Sequence, residues 1–530
     1  MVTGISFQDA RYFSNLMLDY LDEKEEVQNL YARFPKLENF KGQIEEKASS
    51  YSQEHREVLV NALNHQYKNL EVSEATQHHI DLLADNTTFT VTTGHQLNLF
   101  TGPLYFLYKI VSTINLTKEL KEAYPEYNFV PIYWMASEDH DFEEINYFNF
   151  KGKKIHWNRK DGGAVGHLTT EGLDEVYKLY EQELGVGENA DYLRRLFKDA
   201  YLNHDTLAAA SQFLVNELFG KHGLVVLDAD DASLKELFVP YMKTDIFEGT
   251  PFKKVTETAA VMSDLGYNVQ VTPREINLFY LAEGVRERIV EQDGTYVVLD
   301  AGITFTKEQL ETELKEHPER FSPNVIMRPL YQEVILPNLC YIGGGGELAY
   351  WLELKSYFNA MQVTFPILLL RNSVLVVSEK QQEKLNKLNI SYKHLFLKKD
   401  SFINKKVREI SNIDIDFTKQ RTHLEEQFAG LYDLAEQTDK SFLGAVKAQE
   451  VKQLKGLDNL EKRLLKAQKR KLSDHVERIT EIRNELFPNE SLQERTANFS
   501  ELYLSYGEEL VTTLLEKLKP LALEFTILVK

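Results

Sequence analysis

Two strand-forming segments separated by a helix-forming segment lie between Thr88 and Asn146, and this order constrains the fold more than any other part of the chain. The first segment, 88–93, is rich in β-branched and aromatic residues and ends at Gly94. The second, 129–136, is almost continuously apolar, which is typical of a parallel strand buried on both faces. Between them, apolar residues recur at helical spacing at Leu104, Leu107, Tyr108, Val111 and Ile114. The segment therefore predicts one β-α-β unit of a parallel sheet.

The start of the predicted helix has its own signal in Thr101-Gly102-Pro103. Threonine caps the amino ends of helices, and proline is accepted at the first helical position because the amide there has no partner in the helix. We therefore expect Thr101 to cap this helix, with the first-turn amides directed toward Gly94.

Polar residues follow each of the predicted strands. Gly94-His95-Gln96 follows the first, Ser137-Glu138-Asp139-His140-Asp141 follows the second, and a third apolar strand at 223–228 ends in Asp228. In open α/β sheets, ligands bind beyond the carboxyl ends of the strands. We therefore expect these polar groups to face one crevice.

The residue types in this crevice suggest several kinds of chemistry. His95 could donate a hydrogen bond to a phosphate or carboxylate oxygen that gains charge, or it could bond only within its own turn. Glu138, Asp139, His140 and Asp141 could hold an ammonium group, a Mg²⁺ ion or a proton in transit. Alternatively, Asp141 and Glu144 form a capping box that starts a helix. No His-Glu-x-x-His motif occurs here, and we predict no stable metal site.

A second group of candidate residues lies between positions 328 and 350. Arg328 and Glu333 could clamp a ligand or form a salt bridge with each other. The run Gly343-Gly344-Gly345-Gly346 precedes a predicted helix and could cradle an anion with its amides, or it could be a flexible turn. It has neither the spacing of a dinucleotide fingerprint nor the lysine of a Walker loop.

The chain divides into five predicted regions. They are 1–150, amino-terminal helices and the first half of the core; 151–222, a mostly helical insertion; 223–375, the second half of the core with a small antiparallel β insertion at about 267–300; 376–487, a linker and an antiparallel coiled-coil hairpin; and 488–530, a helix and a strand that return to the core.

Some elements within these regions can be predicted individually. We expect strands at 325–329 and 365–370 that return to the main sheet. Apolar residues at coiled-coil spacing in 416–487 predict two antiparallel helices joined near 437–440, or alternatively one long helix in a dimer. A last helix is expected at about 505–519 and a closing strand at 524–529, on a sheet edge.

Composition excludes some classes of function. There are 61 lysines and arginines against 81 aspartates and glutamates, a formal charge of −20, which argues against a nucleic-acid or anionic-membrane surface. No long apolar run or secretion signal is seen, so we expect a cytoplasmic protein. The only cysteine, Cys340, lies in an apolar stretch and is expected to be a buried small hydrophobe.

Four motifs, in this order along the chain, resemble the BshC family of bacillithiol biosynthesis. They are Gly94-His95-Gln96 with Thr101-Gly102-Pro103 and Lys109; Ser137-Glu138-Asp139-His140-Asp141 with Asn146; Arg328-Pro329-Leu330 with Gln332-Glu333; and Gly343-Gly344 with Gly346-Glu347 and Tyr350. The resemblance implies a Rossmann-like α/β core related to nucleotidyltransferases and class I synthetases, connecting-peptide insertions, and an antiparallel coiled coil that forms a homodimer.

The resemblance also implies an activity, the joining of L-cysteine to the amino group of glucosaminyl-malate by a ligase. Activation of the cysteine carboxyl makes ATP or another nucleotide the expected cofactor. Catalytic roles would fall to His95, Asp139, His140 and Asp141. Binding roles would fall to Gly94, Gln96, Thr101, Gly102, Lys109, Glu138, Asn146, Arg328, Gln332, Glu333, Gly343, Gly344, Gly346, Glu347 and Tyr350. The alternatives are a nucleotidylyltransferase of other specificity and a coiled-coil adaptor with an inactive nucleotide-binding core.

Overall fold

The computed structural model describes residues 2–160, 162–438 and 440–530. The chain forms two compact units. The first contains most of the chain up to Val376 together with Gln493–Leu528, and the second is mainly Val377–Leu492. Among the described residues, none of the helices combines the length and the apolar character that a membrane span requires.

The described chain begins with a strand followed by helices. These are β1 (Val2–Ile5), α1 (Phe7–Ala10), α2 (Asn15–Leu21), α3 (Asn39–Ser50), α4 (Gln53–Gln66) and α5 (Glu74–Leu82). Helices α3 and α4 are separate, because Ser52 between them has an extended backbone and caps α4 through the amide of His55.

The predicted β-α-β unit is confirmed as β2 (Thr88–His95), α6 (Tyr105–Ala123) and β3 (Asn128–Met135). It is followed by α7 (Phe142–Ile145), β4 (Tyr147–Phe150), β5 (Lys153–His156), α8 (Leu173–Leu184), α9 (Glu188–Tyr201), α10 (Leu207–Phe219) and β6 (Val225–Asp228). Strands β2, β3 and β6 pair in parallel, with Gly94 opposite Trp134 and Met135 opposite Asp228. Their carboxyl ends therefore meet at one edge of the sheet.

Helix α6 starts later than predicted. Thr101 does not cap it, since Thr101 ends a short 3₁₀ turn with φ of 67° and the helix begins at Tyr105. The carboxyl-terminal part of the chain holds this loop instead: the Leu104 amide donates to the Ala497 carbonyl (2.9 Å), and the Asn498 side chain donates to the carbonyls of Phe100 and Gly102. Long-range hydrogen bonds thus replace the predicted local cap.

The chain continues with α11 (Ala232–Glu236), α12 (Val239–Lys243), α13 (Thr250–Asp264), β7 (Leu278–Ala282), β8 (Val285–Gln292), β9 (Thr295–Val298), β10 (Ile303–Phe305), α14 (Lys307–Glu316), β11 (Phe321–Pro323), α15 (Met327–Ile335), β12 (Asn338–Gly343), α16 (Gly345–Trp351), α17 (Lys355–Met361), β13 (Ile367–Leu370) and β14 (Ser373–Val377). The main sheet has the order β13-β12-β2-β3-β6, and the predicted meander is an antiparallel sheet of order β10-β9-β8-β7-β11.

The predicted strand at 325–329 is wrong, because this segment starts helix α15. The side chain of Asn324 accepts hydrogen bonds from the amides of Ile326 (2.8 Å) and Met327 (3.2 Å) and so satisfies the free amides at the helix start. Pro329 lies in the first turn, where a missing amide hydrogen costs little. The predicted strand at 365–370 is confirmed as β13.

The second unit contains α18 (Glu379–Lys387), α19 (Tyr392–Leu395), α20 (Lys399–Ile410), α21 (Thr418–Glu436), α22 (Lys440–Lys471) and α23 (Ser473–Leu486). Two helices pack antiparallel, as predicted, since Tyr432 contacts Glu450 (2.6 Å) while Arg421, earlier in the chain, contacts Asp458 (2.8 Å), later in the chain. The predicted junction at 437–440 includes Asp439, which lies outside the described residues.

The chain ends with α24 (Gln493–Thr496), α25 (Phe499–Tyr506), α26 (Glu509–Lys517) and β15 (Phe525–Val529). The predicted helix at 505–519 is interrupted at Gly507, where φ is 59° and α25 ends. The predicted edge position of the last strand is wrong, because β15 lies between β1 and β14. The unpredicted strand β1 covers the side of β15 that would otherwise be an edge.

Candidate active site

A cavity of about 660 Å³ opens at the carboxyl ends of β2 and β3. Nine of the predicted site residues line it: Gly94, His95, Gln96, Glu138, Asp139, His140, Arg328, Glu347 and Tyr350. The opposite wall comes from the β7–β11 sheet and the segment that precedes it, including Arg274, Asn277, Phe279, Arg286 and Arg288. The cavity thus lies between the parallel core sheet and the antiparallel insertion.

Asp139 is held as a carboxylate by a set of hydrogen bonds. Its Oδ1 accepts from the amide of His140 (2.7 Å), and its Oδ2 accepts from the side-chain amide of Gln96 (2.9 Å). Burial would raise the pKa of Asp139, but the hydrogen bonds from His140 and Gln96 hold that pKa well below its usual range. The same Gln96 amide also donates to Glu144 (2.8 Å), so two carboxylates converge on one side of the cavity.

Glu138 lies in a different environment, although it is adjacent in sequence. Burial raises its pKa to about 7, and the ammonium of Lys235, 2.6 Å from its Oε1, opposes that rise. Lys235 is fully buried and also contacts Asp230 (2.6 Å), which in turn lies 2.7 Å from His167. Glu138 is therefore the cavity-facing end of a charge network that is buried at Lys235 and reaches the surface at His167.

His95 is an uncharged imidazole. Burial, followed by the nearby charge of Lys109, lowers its pKa to about 3. Its Nδ1 lies 2.8 Å from the carbonyl oxygen of Gln96, which only accepts, so Nδ1 carries the proton and Nε2 is left with a lone pair. The expected donation from His95 to a ligand oxygen is therefore not available in this state, whereas acceptance at Nε2 is.

His140 is oriented by the antiparallel insertion. Arg286 donates from Nη1 to Nδ1 of His140 (2.6 Å), and since arginine only donates, Nδ1 is unprotonated. The Arg286 guanidinium stacks on the ring of Phe279, 4.0 Å from its centroid, and donates from Nε to the hydroxyl of Ser322 (3.2 Å). These contacts fix the guanidinium at the cavity wall.

Lys109 does not line the cavity but contacts two residues that do, Gly94 and Glu347. Its buried ammonium donates to the carbonyl oxygen of Gly94 (2.7 Å) and to Oε1 of Glu347 (2.5 Å). Oε2 of Glu347 accepts from the amide of Gly344 (3.2 Å). Burial lowers the pKa of Lys109, and the carboxylate of Glu347 opposes this. The amide of Gly344, in the glycine run before α16, therefore bonds the Glu347 carboxylate of the same chain and is not free to bind an external anion.

The remaining predicted residues do not line the cavity. They are Thr101, Gly102, Lys109, Asp141, Asn146, Gln332, Glu333, Gly343, Gly344 and Gly346. Asp141 is exposed and makes no capping hydrogen bond, so the predicted Asp141–Glu144 capping box is absent. Asn146 is buried, and Gly102 takes φ of 61°, with Asn98 too close for a Cβ.

Gln332 and Glu333 belong to a buried network on another side of α15. Glu333 accepts from Asn338 (2.6 Å) and Gln332 (3.0 Å), and the ammonium of Lys47 lies 3.5 Å from its Oε2. The considered salt bridge between Arg328 and Glu333 is not formed, because Arg328 bonds Tyr350 instead. Two positions five apart in this helix therefore serve different parts of the molecule.

Sequence reasoning missed Lys235 and the three arginines at 274, 286 and 288. Lys235 lies in a short helix seven residues after Asp228 and directly before Glu236, a pattern that is common on the exposed face of a helix. Arg286 and Arg288 are two apart in a strand, a spacing that places them on one face. The spacing of Arg286 and Arg288 was the one signal in the sequence for these site residues. It indicates a binding site only once the β insertion is known to face the core sheet.

These features define the class as a Rossmann-like α/β protein with an antiparallel β insertion and a helical hairpin. The chain belongs to the BshC family of bacillithiol biosynthesis. Residues 1–372 match the family's N-terminal Rossmann-like domain, and residues 374–529 match its C-terminal coiled-coil domain.

Similar proteins extend over the whole chain. A protein of Christiangramia forsetii is 62% identical over 99% of this chain and 98% of its own length, and one of Flavobacterium johnsoniae is 60% identical over 99% of each. Both carry the provisional name cysteine ligase BshC. A solved structure described as an arginyl-tRNA synthetase of Campylobacter jejuni is 10% identical, covers 88% of this chain and 98% of that chain, and has a TM-score of 0.22, too low to inform the fold.

Proposed function

We propose that this protein is a cysteine ligase that joins the carboxyl group of L-cysteine to the amino group of glucosaminyl-malate in bacillithiol biosynthesis. The observation that carries the proposal is the match of nearly the entire chain to proteins named as cysteine ligases, together with a cavity lined by residues from all four motifs of the sequence analysis. Both substrates carry an amine and at least one carboxylate, and the cavity offers carboxylates on one wall and guanidinium groups on the other.

The carboxylates of Asp139 and Glu144 suit an ammonium group. They converge through the shared amide of Gln96, and the low pKa of Asp139 keeps its charge at neutral pH. Nε2 of His95 offers a further acceptor close to the same strand ends. In this proposal Asp139 and Glu144 bind and orient a substrate amine, while Glu138, whose pKa of about 7 suits proton exchange, takes the proton that the amine releases.

Formation of an amide from a free carboxylate is uphill, so the proposal includes activation of the cysteine carboxyl by ATP. The cavity residues fit a triphosphate, because Arg274, Arg288 and Arg328 all line it and arginine binds phosphate through paired donors. When bound, ATP supplies the leaving group for the carboxyl carbon. The chain's own contribution is to hold the anionic groups, orient the amine and accept its proton.

The proposal is tested with the purified protein, L-cysteine, glucosaminyl-malate and ATP, with detection of the amide product by mass. Asp139→Asn removes the charge of the carboxylate and keeps its shape, and kcat/KM should fall by at least about tenfold. Glu143→Gln is the matched control, because Glu143 is an exposed acid four positions away that does not line the cavity. Absence of product with the unmodified protein, or equal activity of both variants, would contradict the proposal.

The same assay separates the alternatives. Release of pyrophosphate without consumption of cysteine would identify a nucleotidylyltransferase. An adaptor would form no product, and its interactions would depend on the hairpin of α21 and α22 rather than on cavity residues.

We propose in addition that the protein is a homodimer through its coiled coil. Several large apolar side chains of the hairpin are exposed, among them Leu434 (54%), Val451 (57%) and Leu460 (54%). Burial of each such side chain contributes about 1.5–3 kcal/mol, so a second copy of the hairpin would be stabilised by covering them.

A further inference from the structure

Three arginines of the antiparallel insertion line the cavity. In the described residues, Arg274, Arg286 and Arg288 make no ion pair within 4 Å, although all three line the cavity. Arg286 is only 8% exposed, and its contacts are a histidine nitrogen, a serine hydroxyl and an aromatic face. A guanidinium taken out of water without an anion in contact is costly, so the buried Arg286 and the half-buried Arg288 beside it point to an anion from outside the chain.

The acids of the cavity show the opposite arrangement. Glu138 is matched by Lys235 (2.6 Å) and Glu347 by Lys109 (2.5 Å), and both lysines are fully buried. Asp139 and Glu144 receive the neutral amide of Gln96 rather than an arginine. The chain therefore supplies buried cations in direct contact with two of its cavity acids. Among the described residues no carboxylate lies within 4 Å of the arginines that face them, and Glu138, Asp139 and Asp230 act on Arg286 only at longer range.

The arginines are also arranged as a unit. Arg286 and Arg288 are two positions apart on β8 and so project from the same face of that strand. Nε of Arg288 is buried and has no hydrogen-bond partner among the described residues. Arg274 precedes the same sheet and is exposed, so the three groups extend from the interior of the cavity to its mouth.

We infer that Arg274, Arg286 and Arg288 form an anion-binding subsite that recognises an oxygen-rich, multiply charged group of a substrate. This inference rests on the proposed ligase function for the identity of the substrates. Two substrate groups have this oxygen-rich, multiply charged character: the carboxylates of the malyl group of glucosaminyl-malate and the phosphates of ATP. Both match the paired donors of guanidinium groups.

Calorimetric titration of the full-length protein with glucosaminyl-malate alone and with ATP alone tests the subsite without turnover. Arg288→Gln and Arg286→Gln should weaken the binding of at least one of these by about tenfold to a hundredfold, since each removes a charge-assisted hydrogen bond. Arg320→Gln is the matched control, because Arg320 lies next to β11 of the same sheet, pairs with Glu313 and does not line the cavity.

The two arms distinguish the source. Loss confined to glucosaminyl-malate assigns the subsite to carboxylates, loss confined to ATP assigns it to phosphates, and loss of both indicates a shared anion position. Binding within about twofold of the unmodified protein in both arginine variants, an equal loss in Arg320→Gln, or no binding of either compound by the unmodified protein would overturn the inference.

Because Arg286→Gln also removes the contact with His140, the unfolding midpoint of this variant is measured in parallel. If the variant is destabilised, the binding result of Arg288→Gln is used instead, since Arg288 is only half-buried. Failure of the ligase proposal is a separate result. If the unmodified protein forms no product but the arginine variants lose anion binding, the subsite is supported and the ligase proposal is refuted. If the unmodified protein forms product and the arginine variants bind normally, the ligase proposal is supported and the subsite is refuted.

Discussion

The ammonium of Lys109 lies 2.5 Å from Oε1 of Glu347, a residue 238 positions later in the chain. Lys109 belongs to α6, which follows β2, and Glu347 belongs to α16, which follows β12. Because the same ammonium also bonds the Gly94 carbonyl, one buried cation connects two strand ends of the core sheet. The carboxylate of Glu347, and not the glycine amides before it, is what this part of the chain presents to the cavity.

Removing the carboxylate of Glu347 should destabilise the first unit. Glu347→Gln keeps the side-chain shape but leaves the buried ammonium of Lys109 without an anion, at a cost of about 3 kcal/mol. All three tryptophans, Trp134, Trp157 and Trp351, belong to this unit, so tryptophan fluorescence during urea unfolding reports on it selectively. Adding Lys109→Met should restore part of the loss, and a double variant less stable than Glu347→Gln alone would contradict the ion pair as the cause.

The charge network behind Glu138 predicts a pH dependence of stability. Burial raises the pKa of Glu138 from 4.5 to about 7, so the folded state binds this proton more tightly than the unfolded state does. The stability that protonated Glu138 contributes to the folded state is present below pH 4.5 and is lost as the pH rises through about 7. Urea midpoints of the protein and of Glu138→Gln, measured from about pH 5 to about pH 8, should diverge in favour of the variant as pH rises. A pH-independent difference would show that Glu138 titrates normally.

His95 predicts the opposite slope. Its pKa is lowered from 6.5 to about 3 by burial, so the unfolded state binds the proton more tightly. The stability that neutral His95 contributes is present above pH 6.5 and falls as the pH decreases toward 3. The advantage of the unmodified protein over His95→Asn should shrink in acid, as measured by urea unfolding. An advantage that stays constant or grows in acid would mean that His95 is charged in the folded state.

The homodimer proposal predicts that charge on the hairpin disrupts assembly. Val451→Glu places a carboxylate where an apolar side chain is 57% exposed, and light scattering coupled to size exclusion should show a shift from dimer to monomer. Val261→Glu is a control, since Val261 is equally apolar, 53% exposed and located on α13 outside the hairpin. A monomeric unmodified protein, or an equal shift in both variants, would refute the proposal.

Elements with a strong local pattern were predictable. The strands β2, β3 and β13 and the antiparallel helices of the hairpin follow from apolar periodicity, because burial of these residues outweighs other local preferences. Cys340 is buried, as its apolar neighbours predict. The segment 325–329 was misassigned because five mostly apolar residues fit either a strand or a helix, and the deciding feature is the side chain of Asn324 just before them.

The apolar strand patterns were enough to predict the parallel core. They also predicted that Gly94, His95, Glu138 and Asp139 lie at one sheet edge, because parallel strand direction brings carboxyl ends together. The pairing of charges could not be predicted in this way. The partners of Glu138, Glu347 and Glu333 are Lys235, Lys109 and Lys47, and each lies far from its acid in sequence. Ion pairs of this kind depend on packing of distant elements rather than on local periodicity. The same packing brings the arginines of β8 opposite the core, where no carboxylate of the described residues lies within 4 Å of them.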